Sequence, residues 1–185
     1  MKNILRNRLA LSTVVTTLII LVVSVLLAGV VTYFAINVTS TRVQEESLSL
    51  SKVHIWVDSS AKVEGAMMIT NSGGRDVVLN KIAVRGQGCA WTNVFYAVAN
   101  VTRDDLSAEL VYKTAPIAAS ANIGLNATAT AATGNLVLPS GSTIVLYINS
   151  PDSVTINDIG LTVAFTVFTS QAIYYKETNV NAAST

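Results

Sequence analysis

Residues 6–36 read RNRLALSTVVTTLIILVVSVLLAGVVTYFAI, a basic leader that runs without interruption into a long apolar segment. Lys2, Arg6 and Arg8 precede or open the run, and the first acidic residue of the chain is Glu45. The stretch from Val14 to Ile36 is long enough to cross a bilayer core as one helix. Its Val, Leu, Ile and Phe residues, about fifteen at roughly 0.3–0.6 kcal/mol each, favour insertion by about 5–9 kcal/mol. Thr16, Thr17, Ser24 and Thr32 do not reverse that balance. Because positive charge stays on the cytoplasmic side, residues 1–10 are expected inside and everything beyond Ile36 is expected to be exported.

The run is too long for an ordinary secretory signal, whose apolar core spans about 7–15 residues before a small-x-small cleavage site. No such site follows: cleavage after Ala28 would place Leu26 at the upstream small-residue position, and cleavage after Gly29 would place Leu27 there. A permanent signal anchor fits the length and the charge equally well.

The junction Arg8-Leu9-Ala10-Leu11-Ser12-Thr13-Val14-Val15 separates these readings. With Arg8, Ala10 before the cut and LSTVVTTLIILVVSVLL after it, the chain resembles archaeal type IV prepilins, whose class III signal is cut between the basic leader and the apolar helix. The resemblance implies that a prepilin peptidase cleaves between Ala10 and Leu11, so that the mature chain starts at Leu11 and keeps its helix. Bacterial pilins usually carry glutamate where this chain has Val15, and glycine where it has Ala10; both departures point to the archaeal branch. Archaellins of the swimming filament share the leader and the helix, but open it with more glycine. The resemblance is specific over residues 6–50. It also implies assembly machinery driven by a cytoplasmic ATPase.

A helix apolar on all sides must be buried in lipid or among copies of itself. Thr13, Thr17, Ser24, Ala28 and Thr32, with Gly29 beside them, form a candidate stripe of small residues where helix backbones could approach closely. The helix is expected to continue through the amphipathic stretch NVTSTRVQEESLSLSKV to about residue 51. From Leu11 that makes a rod of about 60 Å.

Roughly 130 residues follow, enough for one domain with its own core. The chain has 185 residues, 12% of them charged, and a formal net charge of +1. It has no basic field for nucleic acid. Short runs of β-branched and aromatic residues alternate with Gly, Asn, Pro and Ser. The period-two alternation at Val53, Ile55, Val57 and at Leu161, Val163, Phe165, Val167 argues strand. Further strands are expected at Glu64–Thr70, Val77–Arg85, Val94–Val101, Ala108–Lys113, Leu136–Leu138, Thr143–Asn149 and Ala172–Glu177. The turn residues at 71–74 and 139–141 suggest hairpins. The expected class is α+β: one long N-terminal helix, 11–51, followed by an all-β, Ig-like sandwich head over 52–178 and a polar tail, 179–185. The Ala-, Thr- and Asn-rich stretch from Thr114 to Asn135 reads as an exposed excursion.

Sequons stand at Asn37, Asn100 and Asn126 on the exported side, where glycosylation requires exposure. Catalytic constellations are absent: the chain holds one histidine, His54, and one cysteine, Cys89, and no G-x-S-x-G, phosphate-binding loop or G-x-G-x-x-G. The neighbouring Asp104 and Asp105 would point to opposite faces of a strand. Asp152 and Asp158 suit turn and cap roles. No enzyme activity, metal or cofactor is expected. The sequence reads as a structural subunit of an extracellular filament, with copies of itself as partners, the membrane as an assembly intermediate, and adhesion as the use the resemblance implies. A membrane-anchored β-sandwich binding protein shares the topology.

Overall fold

The computed structural model describes residues 2–43, 45–99, 109–120, 123 and 128–183. They divide into two units, residues 1–43 and 44–185.

The first unit is α1, Lys2–Val43. Every side chain from Leu11 to Thr41 is exposed, with Leu18, Leu21, Leu26, Val30 and Phe34 among the large apolar ones. The helix ends at Val43 rather than near residue 51, and from Leu11 it is about 50 Å long. The stretch expected to extend it instead begins a strand at Leu48. There Ser47, Ser49 and Ser51 alternate with Leu48 and Leu50, which is the strand period.

The second unit is a large, mostly-β domain built on one curled, mixed sheet. Its strands are β1 Leu48–Val57, β2 Val63–Asn71, β3 Val77–Val84, β4 Gln87–Gly88 and β5 Val94–Ala99. They continue with β6 Thr130–Ala131, β7 Leu136–Leu138, β8 Thr143–Asn149, β9 Thr162–Thr169 and β10 Ile173–Ala182. The order is β4-β3-β9-β10-β1-β2-β8-β5-β6, with β7 paired to β3. All pairs are antiparallel except β1 with β10, where Ile55, Trp56 and Val57 lie opposite Val180, Asn181 and Ala182. Strand β1 changes register between Ser51 and His54, beside a positive φ at Lys52.

Curling brings the inward side chains of both halves into one core. Ile55, Met67, Ile69, Val94, Ile144, Leu146 and Ile148 from one half pack in a single cluster with Leu79, Ile82, Val84, Val163, Phe165, Val167 and Val180 from the other. Gly65 leaves room for that contact: a Cβ there would stand 2.8 Å from Phe165 Cζ.

Several expectations change. The tail is not a loose end, because β10 runs to Ala182 and buries Val180. No strand occupies 109–113. The turns at 71–74 and 139–141 are not hairpins, since β2 pairs with β1 and β8 while β3 and β7 pair with each other in the opposite half. Both turns cross between halves, and the wholly buried Asn71 ties them together. Its Nδ2 donates to Arg75 O at 2.8 Å and Leu138 O at 3.1 Å, and its main chain pairs with Gly141 and Ser142.

The stretch expected as an exposed excursion is a cover. Ile117, Ile123 and Ala129, with Leu110 from the segment before them, are buried against Ala66, Met68, Ala97, Val145 and Tyr147, the outward face of β2, β5 and β8. These residues lack a regular period, but they fill an apolar face that would otherwise be wet.

Candidate functional site

The candidate site in the first unit is the surface of α1. On a 3.6-residue helix Thr13, Thr17, Ser24, Ala28 and Thr32 fall within an arc of about 100°, and Gly29 lies beyond its edge. Nothing stands within 4 Å of a Cβ built on Gly29. Three of the hydroxyls on this face are turned back onto the helix. Thr17 donates to Val14 O at 2.9 Å, Ser24 to Ile20 O at 2.7 Å and Thr32 to Ala28 O at 2.8 Å. Thr16 and Thr41 close the same bond on Ser12 O and Asn37 O. Each donor is thereby satisfied inside the helix, so burying these hydroxyls leaves no orphaned O–H.

Ala10 and Leu11, the expected cleavage pair, lie within the continuous helix, and Leu11 is exposed. Asn37 also lies on the helix and is exposed. Asn100 and Asn126 fall outside the described residues, as do Asp104 and Asp105.

The head holds one polar cluster that sequence reasoning missed. Glu64, with no exposure, accepts the Lys113 N–H at 2.8 Å and faces Lys62 Nζ at 3.4 Å. Lys62 also donates to the carbonyls of Lys113 and Thr114 and lies 4.9 Å above the Tyr112 ring. Burial raises the Glu64 pKa, against the lowering pull of the Lys113 N–H and of Lys62. Asp58 is held low by the Ser60 N–H and the Ser59 hydroxyl, and it accepts the Tyr112 hydroxyl at 3.2 Å. His54 stacks on Trp56 at 5.2 Å and meets Glu109 at 3.1 Å. Burial pushes Tyr147 up to about 12, and its hydroxyl donates to Val111 O. The contacts made by Glu109, Tyr112, Lys113, Thr114 and the Val111 carbonyl join β1, β2, β8 and the turn after β1 to residues 109–114. The cluster is a fastening for the cover. The legible signal is Lys62-Val63-Glu64, two opposite charges two positions apart at the start of β2.

Cys89 is half-buried, and burial pushes its thiol up to about 11, which keeps it protonated at neutral pH. Asp158 closes a capping box with Thr155 and pairs with Arg85 at 2.9 Å, the cap role expected of it. Among the described residues no group of three or more His, Cys, Asp or Glu side chains could hold a metal ion.

The described residues thus define a class: a long apolar helix, exposed from Leu11 to Thr41, followed by a mostly-β domain with its own core. No family model and no curated protein matches the chain. Among solved structures it is similar to a β-glucosidase from Listeria innocua in complex with glucose, at 11% identity and a TM-score of 0.28, over 76% of this chain and 16% of that one. The same enzyme with isofagomine gives 12% identity and a TM-score of 0.28, over 76% and 17%. The chain therefore spans only a small part of these enzymes, and a likeness of that degree carries no argument about it.

Proposed function

We propose that the chain is the structural subunit of an extracellular filament of the archaeal type IV pilus kind, polymerising through α1. The observation that carries the proposal is the exposure of every side chain from Leu11 to Thr41 on a mostly apolar helix in which the Thr16, Thr17, Ser24, Thr32 and Thr41 hydroxyls are already bonded internally. The β domain buries its own core, so the helix must find lipid or copies of itself, and a filament core supplies the second. In this reading the membrane holds the precursor with its N-terminus inside, cleavage between Ala10 and Leu11 releases the helix, and the two halves of the curled sheet act as the sheets of an Ig-like sandwich on the fibre surface. Adhesion is the assigned use, and Asn37, Asn100 and Asn126 are its sugar-carrying candidates.

The test is N-terminal sequencing of native material together with electron microscopy. Chains that begin at Leu11, in fibres with a bundle of helices on the axis, are the expected result. Chains that begin at Met1 and stay single once detergent is removed would overturn the proposal in favour of a membrane-anchored binding domain.

A further inference from the structure

The strand that continues from the apolar helix is β1, and β1 is an interior strand at the join between the two halves. It is flanked by β2 along most of its length, from Leu48 opposite Asn71 to Val57 opposite Val63, and by β10 over Ile55–Val57. The pairing with β10 is parallel, so the end of β1 that leads back to the helix and the chain's last strand end, at Ala182, lie at opposite ends of the pair. The residues just before β1 are tied to both halves. Ser47 O accepts the N–H groups of Ser72 and Gly73 at 2.9 and 3.1 Å. On the other side the Thr169 hydroxyl donates to Glu46 Oε1 at 2.5 Å and the Tyr174 hydroxyl to Glu46 O at 3.4 Å. Gly73 permits the close approach: a Cβ there would stand 2.6 Å from Glu45 O and 2.7 Å from Ser47 N.

We propose that β1 is a load-bearing strand that carries tension arriving through the helix in shear. Ladder hydrogen bonds run across the strands. Tension along β1 therefore strains its bonds to β2 and β10 together, whereas force that peels one end away breaks them one at a time. Sliding β1 also requires the contacts of Glu46 and Ser47 to give way with the ladder, because they hold the same end of the strand. An edge strand in place of β1 would have one ladder to resist with, and β1 has two. The use of such a strand rests on the filament reading, in which every subunit's head hangs on its helix; the mechanics of the strand do not.

Single-molecule pulling on the full chain in detergent tests this in a Cys89→Ser background. Handles at Thr41→Cys and Ala183→Cys load β1 against β10 in shear. Handles at Thr41→Cys and Gly74→Cys peel β1 from β2, because Gly74 lies in the turn beside Ser47. At matched loading rates the shear pair is expected to give way at a higher force than the peeling pair, since whole ladders rather than single bonds must fail together. Asn181→Cys in place of Ala183→Cys is expected to give the same ordering, which guards against a local defect at one handle. Equal forces in the two geometries would overturn the proposal. A higher shear force in a protein that forms no fibres removes the polymer and leaves the strand, while fibres built from heads with equal forces do the reverse.

Discussion

Glu64 sits wholly out of solvent between Lys62 and the Lys113 N–H, so its replacement reports on the fastening directly. Glu64→Ala takes the acceptor from that N–H and the countercharge from Lys62, and is expected to cost about 3 kcal/mol in urea denaturation, as one-sided removal of a buried pair does. Acidity adds a second readout. Burial raises the Glu64 pKa above its ordinary 4.5, so the folded chain holds this proton more tightly than the unfolded chain. The contribution of Glu64 to stability therefore grows as pH falls through the raised folded value and is complete below the unfolded one. Asp58 has the opposite sign. Its pKa lies below the ordinary 3.8, so its contribution is present above that value and lost as pH falls through the depressed one. A stability profile is expected to climb on mild acidification and to turn down in stronger acid. Glu64→Gln, which keeps an acceptor for the Lys113 N–H, should flatten the climb and leave the downturn.

At the scale of elements, the cover over β2, β5 and β8 makes the sharpest contrast between a packed segment and a loose one. Ile123 is 1% exposed and Ile117 4% exposed, both against the face that carries Met68, Val145 and Tyr147. Ile123→Ala is expected to cost about 2–4 kcal/mol, the range for emptying a core site. A loose excursion would lose almost nothing, and denaturation of the variant decides between the two. Strand β9 is legible because one face alternates, and β2, β3, β7 and β8 because they are short runs of apolar and β-branched residues bounded by turn residues. The cover is not, because Leu110, Ile117 and Ile123 follow no period and are selected by the face they meet. The start of β1 resembles a helix in sequence because Val43 and Leu50 stand a heptad apart, although Ser47, Ser49 and Ser51 around Leu48 and Leu50 carry the strand period. Asn179 to Ala182 read as polar because Val180 is the only large apolar side chain there and does all the inward packing. The glycines told less than the buried Asn71, whose role in joining two turns depends on residues more than sixty positions apart in sequence.

At the scale of the whole molecule, the two units answer to different solvents, and one substitution can separate them. Ser24 lies midway along the apolar run, on the stripe of small residues, with its hydroxyl bonded to Ile20 O. Ser24→Asp places a carboxylate there at a cost of about 2.5–3.5 kcal/mol for membrane insertion, less than the roughly 5–9 kcal/mol by which the run favours it. The variant is therefore expected to insert and to fold its head normally, with an unchanged melting temperature for the β domain, because that domain's core contains no residue of α1. Assembly has no such reserve. Every subunit would bring the same charge to the helix bundle, where like charges in an apolar interior repel and have no counter-ion. Fibres should be lost while precursor accumulates in the membrane, and Ser24→Ala, which keeps the size and removes only a hydroxyl already satisfied within its own helix, should assemble as the parent does. Imaging fibres in cells that carry each variant, beside membrane fractionation, reads both outcomes; fibres of normal number from Ser24→Asp would mean that α1 does not form the core.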